Sequence, residues 1–249
     1  MARVPARKTH RKLKIVLMAV LAVIVVGAIG FGVYVGDYYH ADDAALAAME
    51  PTGTVAVQRL EGGDIAFVPD APRAGIVFYP GGKVQAEAYS PLMHDLAERG
   101  FLCVIVPMPF NLAVLDANGA DGVQERFPAV RRWILMGHSL GGVMAAGYLD
   151  GHARSWDGLV LLGAYSTADL SDDGVTVLSV AGDSDGVLNR QAAADNEGNL
   201  GEGARELVIP GGNHAQFGSY GPQDGDGKAS LSPDEQRALT ADEVAGVFL

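Results

Sequence analysis

Gly137-His138-Ser139-Leu140-Gly141 follows the apolar run Trp133-Ile134-Leu135-Met136 and precedes a stretch rich in small residues, Gly142, Ala145, Ala146 and Gly147. A hydroxyl at a strand-to-helix junction either caps the helix or is presented as a nucleophile. The flanking glycines favour the second role. A sharp, strained turn leaves no room for a Cβ two residues to either side of the nucleophile. A helix that starts at Leu140 would also aim its positive end and the Leu140 N–H at an oxyanion formed by attack at Ser139.

A serine hydroxyl attacks only if a base takes its proton and a third group holds the base. Of the six histidines, His10 and His40 flank the apolar N-terminal run, and His138 leaves the turn in a direction of its own. His94 and His152 read as solvated surface or helix-end residues. His214, in Ile209-Pro210-Gly211-Gly212-Asn213-His214, follows the last predicted strand in a glycine-rich loop able to return over the sheet edge. Two carboxylates, Asp183 and Asp185, follow the hydrophobic run that ends at Gly182, the end of a strand where parallel sheets collect functional groups. A second oxyanion donor comes from Pro80-Gly81-Gly82-Lys83, after a predicted strand, with the Gly82 N–H the better placed of the two glycine amides.

These groups need elements to hold them. Apolar runs predict strands over 64–68, 75–79, 101–106, 133–136, 158–162, 175–180 and 206–209, several of them continuous Val, Ile, Leu and Phe as in strands covered on both faces. Helical patterns lie over 86–99, roughly 112–127 with breaks at its glycines, 140–149 and 188–196, and a last helix opens at Ser232-Pro233-Asp234-Glu235 with the signature of a capping box. The alternation predicts an α/β fold, a mostly parallel sheet with helices on both faces. The connection after Leu162, "GAYSTADLSDDG", leaves no room for a helical lid, so the pocket should be open and suit short or exposed acyl groups.

From about Gly75 onward the chain resembles the α/β-hydrolase superfamily, and within it the small capless dienelactone-hydrolase-like bacterial serine hydrolases. The likeness rests on "VFYPGGKVQAEAYSPLMHDLAERGFLCVIVPMP", "GHSLGG", "AGDSDGV" and "PGGNHAQFG". In that family the acid commonly lies three residues after the glycine closing its strand, which maps onto Asp185 rather than Asp183. The resemblance thus implies Ser139 as nucleophile, His214 as base, Asp185 as orienting acid and Gly82 with Leu140 as oxyanion hole, without metal or cofactor. The order Ser139, Asp185, His214 is that of α/β-hydrolases. Pro80 stands where the family's turn usually has histidine, and Ser139 where dienelactone hydrolases proper have cysteine. Both departures bear on substrate and neither touches the triad.

Six of the 18 basic residues lie in the first 14 positions, where there is no acid; from residue 15 on, 12 basic residues face 30 acidic ones. So acidic a body excludes a nucleic-acid partner. Cys103, the single cysteine, excludes an internal disulfide and sits in an apolar run as a small hydrophobe. Residues 15–35 are uncharged and as a helix would span about 31 Å, close to the hydrocarbon thickness of a bilayer. A cleavable signal has a shorter apolar region with a small-residue site close behind, so an uncleaved anchor is the expectation. Positive charge stays inside, which places the following domain outside the cell membrane. The expected organisation is a basic cytoplasmic tail over 1–14, a transmembrane anchor over 15–36, a linker over 37–53 and the catalytic domain over 54–249. Gly32 and Gly36 form a G-x-x-x-G pair, chance-level in so glycine-rich a segment, so no oligomeric state is read.

The expected activity is hydrolysis of a small-molecule acyl substrate through an acyl-enzyme. Two rival readings use the same residues: a non-catalytic cell-surface binding module on this fold, and an acyltransferase with the same triad.

Overall fold

The computed structural model describes residues 6–249. The first five residues of the basic tail, Arg3 among them, lie outside the described residues. Two units divide at Asp37, and each is taken by itself. The first is one helix, α1 (Ala6–Gly36), whose Arg11–Gly36 portion is long and apolar enough to cross a membrane and is exposed along its length.

The second unit, Tyr38–Leu249, is built on one eight-stranded sheet. Its strands are β1 (Val55–Arg59), β2 (Ile65–Pro69), β3 (Ala74–Tyr79), β4 (Phe101–Ile105), β5 (Trp133–His138), β6 (Gly158–Leu162), β7 (Thr176–Gly182) and β8 (Arg205–Ile209). They lie in the order β1-β2-β4-β3-β5-β6-β7-β8; β2 runs antiparallel to both its neighbours, β1 and β4, and the remaining pairs are parallel. The helices of this unit are α2 (Asp43–Ala47), α3 (Ser90–Glu98), α4 (Leu140–Leu149), α5 (Arg190–Asp195) and α6 (Pro233–Phe248).

Period-two alternation splits the apolar strands into two cores. Ile76, Phe78, Met136, Val160 and Leu178 face α3 and α6, while Val77, Tyr79, Leu135, Leu161 and Val177 face α4. Each of these side chains is essentially sealed from water, and burial of each stabilises the fold by about 1.5–3 kcal/mol. Chain direction across the sheet reverses at β3, which has β4 on one side and β5 on the other. The crevice at such a switch point lies beyond the carboxyl ends of the strands, where Gly82 follows β3 and Ser139 follows β5.

Four local expectations change. The stretch over 112–127, expected as helix broken at its glycines, holds only short 3₁₀ turns on either side of Asn118-Gly119 and Gly122, the last at φ 72°. The helix expected over 86–99 divides, and α3 starts at Ser90 with Pro91, which lacks an N–H, in its first turn. β1 was not expected; it is an edge strand paired with β2 alone. His94, expected in solvent, is buried in α3 with its ring edge-on to Phe67 at 6.2 Å.

Residues 38–49, expected as linker, are stitched to the body. The Tyr39 N–H donates to Lys83 O at 2.7 Å, and Tyr39 O accepts from Gln85 N–H at 2.9 Å. Ala41 N–H reaches Gln85 Oε1, and Asp42 N–H reaches Ser219 O.

Candidate active site

Ser139 has φ 52° and ψ −126°, a region costing an L-residue about 1–3 kcal/mol. The turn that holds it is built from glycine. A methyl on Gly137 would lie 2.6 Å from the Gly141 carbonyl, and one on Gly141 would overlap the carbonyls of Tyr79 and Pro80. The Ser139 N–H is fixed to Leu162 O at 2.9 Å on the neighbouring strand. Although Ser139 heads α4, its side chain does not bond to the helix amides. The hydroxyl is half-buried at the crest of the sheet and is no cap.

His214 follows β8 and is buried at 1% exposure. Its Nδ1 lies 2.8 Å from Asp185 Oδ2, beyond β7. The ring packs on Gly163, the residue after Leu162, where a methyl would stand 2.8 Å from Nδ1 and 3.0 Å from Cε1. His138, next to Ser139 in the chain, lies with its ring 4.4 Å from that of His214. The imidazole is thus wedged between the residue before the serine and the strand end that holds the serine's amide. Among the described residues, His214 Nε2 is buried without a hydrogen-bond partner, so it is not bonded to Ser139 Oγ in this conformation.

Asp185 Oδ1 accepts the amides of Val187 at 2.9 Å and Leu188 at 2.8 Å. Burial raises its pKa, but the bond to His214 and those two amides outweigh burial and leave the carboxyl below its ordinary range. An ionised Asp185 can accept an Nδ1–H, the tautomer that leaves the Nε2 lone pair free. Asp183 takes a different place: it is exposed, and its Oδ1 binds Gly211 N–H and Ser184 Oγ–H.

The loop after β3 separates the two glycine amides. Gly81 N–H donates to Tyr89 Oη at 2.9 Å, whereas no protein group among the described residues takes the Gly82 or Leu140 amide. Gly82 lies against Leu140, since a methyl there would meet Leu140 Cδ2 at 2.9 Å. Gly82 and Leu140, residues of separate elements whose amides have no protein acceptor among the described residues, are therefore in contact at the turn that carries Ser139. That arrangement can cradle a developing negative oxygen.

Sequence reasoning missed three parts of this surround. Tyr89 Oη contacts Gly81 N–H and also lies 2.8 Å from His138 Nδ1. Burial first, and the neighbouring His214 second, hold the pKa of His138 well below its usual value, so it stays neutral. Tyr39 supports the Gly82 loop from the far side through Lys83 and Gln85. Asp226 lies in the loop that follows Tyr220 and accepts several amides around His214. Its only signal was the spacing Gly225-Asp226-Gly227. No cluster of three or more metal-binding side chains occurs among the described residues.

A family model described as the alpha/beta hydrolase family matches residues 75–238. No curated protein matches the chain. Among solved structures, a CIB-like hydrolase of Thermoplasma acidophilum is 16% identical, over 77% of this chain and 99% of that one, with a TM-score of 0.56. The protein TT1662 of Thermus thermophilus is 18% identical over 77% and 98%, with a TM-score of 0.56. A thermostable carboxyl esterase of Bacillus coagulans is 14% identical over 78% and 98%, with a TM-score of 0.54. At such identities these likenesses speak to the fold.

Proposed function

The chain belongs to the alpha/beta hydrolase family, and from that premise we propose that it is a serine hydrolase cleaving small esters or related acyl compounds through an acyl-enzyme. The observation that carries this reading is the backbone of Ser139: a strained residue at the head of α4 whose hydroxyl caps nothing. A helix cap would have no use for that conformation.

In the proposed reaction Ser139 Oγ attacks the acyl carbon while His214 Nε2 takes its proton, and Asp185 stabilises the imidazolium. The amides of Gly82 and Leu140 hold the tetrahedral oxyanion. Collapse breaks the bond to the leaving group, which departs with the proton from His214. Water then attacks the acyl-enzyme, gives a proton to Nε2, and releases the acid with Ser139 restored. No helix stands between β6 and β7, which supports an open site for short or exposed acyl groups. The basic residues ahead of the apolar helix support an anchor with the catalytic domain on the outer face.

The direct test is reaction with a fluorophosphonate probe. Labelling of Ser139 in the wild type, and none in Ser139→Ala, is expected. A folded wild-type protein that takes no label, yet binds small ligands without turnover, would instead favour a binding module.

A further inference from the structure

The acid and the base come from different loops, one after β7 and one after β8, and their 2.8 Å bond demands that the loops keep register. A third loop sits across both. Asp226 Oδ1 accepts Gly186 N–H at 3.0 Å, His214 N–H at 3.2 Å and Gly227 N–H at 2.8 Å, while Oδ2 accepts Ala215 N–H at 2.8 Å. One oxygen therefore holds the residue after Asp185 together with His214 itself.

We infer that Asp226 is a positioning residue, a carboxylate clamp that sets the distance and angle between Asp185 and His214. The inference rests on the proposed role of that pair. Three observations fit it. The four groups on Asp226 are all donors, and an ionised carboxylate is the side chain that offers only acceptors. Asparagine has the same shape, but its NH₂ would face at least one of those N–H groups. The neighbouring glycines leave no slack: a methyl on Gly186 would stand 2.9 Å from Gly227 N, and one on Gly227 would overlap the Ser184 carbonyl. Finally, Asn213 Nδ2 donates to Gly227 O at 2.8 Å, which ties the clamp to the residue before His214.

The test uses the full chain in detergent, with Asp226→Asn compared with wild type and with Asp64→Asn, which removes a carboxylate paired with Arg126 and bonded to neither Asp185 nor His214. Two quantities are read: kcat and KM on p-nitrophenyl acetate, and the downfield proton resonance of His214 Nδ1–H. A misplacement of about 1 Å costs about 100-fold, so Asp226→Asn should lower kcat by about 10- to 100-fold with KM within about threefold. The downfield resonance should shift or broaden away. Asp64→Asn should change neither. An Asp226→Asn protein with wild-type kcat, or with an unchanged resonance, overturns the inference. If that variant does not fold, amide exchange of the wild type decides. The Gly186, His214 and Ala215 amides should exchange far more slowly than that of Gly225, and equal rates would overturn the clamp. The resonance and the exchange rates report the pair whether or not Ser139 reacts, so failure of the serine-hydrolase reading is seen separately, as absence of probe labelling.

Discussion

The Tyr89 hydroxyl lies 2.8 Å from His138 Nδ1 while accepting the Gly81 amide at 2.9 Å, and all three groups are sealed from water. Burial keeps the His138 ring neutral, so one hydrogen bond joins the hydroxyl to Nδ1. Through one oxygen the loop carrying Gly82 is fixed to the residue before Ser139. Tyr89→Phe keeps the ring against Phe78 but leaves the buried Gly81 N–H and His138 Nδ1 without their partner. The expected loss is about 1–3 kcal/mol in urea unfolding, with slower probe labelling of Ser139 because the Gly82 amide moves with Gly81.

Asp185 and Asp183 should separate sharply on mutation. Asp185→Asn removes the acceptor that holds the His214 tautomer, and kcat is expected to fall about 10⁴-fold, as when a triad acid is neutralised. Asp183→Asn loosens only bonds to Gly211 and Ser184. Its kcat should stay within about tenfold of wild type, since those bonds lie away from the Asp185–His214 contact. Steady-state kinetics on one short ester decides the matter, and equal losses would move the acid role.

Folding stability should fall as the medium turns mildly acidic. Burial first, and the nearby His214 second, depress the His138 pKa well below 6.5. Below that value the unfolded chain takes up a proton that the folded one refuses. Stability present at pH 7 is therefore lost as pH drops from about 6.5, at up to about 1.4 kcal/mol per pH unit. His138→Asn should flatten that slope between about pH 6.5 and pH 5, read from urea midpoints across pH. A slope identical to wild type would count against a buried neutral His138.

The position of the N-terminal cut should matter to activity. A chain starting at Tyr38 keeps the bonds from Tyr39 to Lys83 and Gln85, and one starting at residue 50 loses them. The shorter chain should label more slowly at Ser139, because the loop carrying Gly82 has lost its outer support. Equal labelling rates would show that residues 38–49 are dispensable to the site.

Much of this architecture was legible in the amino-acid order. Continuous apolar runs marked β3 to β7, because strands buried on both faces cannot hide polar residues there. β1 escaped because an edge strand such as Val55–Arg59 buries only part of its surface and leaves a weak pattern. The breaks at the glycines of 112–127 were legible, but not that the pieces between them are too short for more than 3₁₀ turns. His94 read as exposed because periodicity does not reveal how closely Phe67 covers it.

The sequence by itself determined the alternation that builds the sheet and the glycine spacing around Ser139, since both follow from short-range sterics and period. It also determined the charge-free run of α1. The likeness to a known family singled out Asp185 and Gly82 beforehand, but what Tyr39, Tyr89 and Asp226 hold was decided only by the tertiary structure. Those contacts join residues on separate strand ends, and their partners depend on angstrom-scale loop register that no local pattern in the chain encodes.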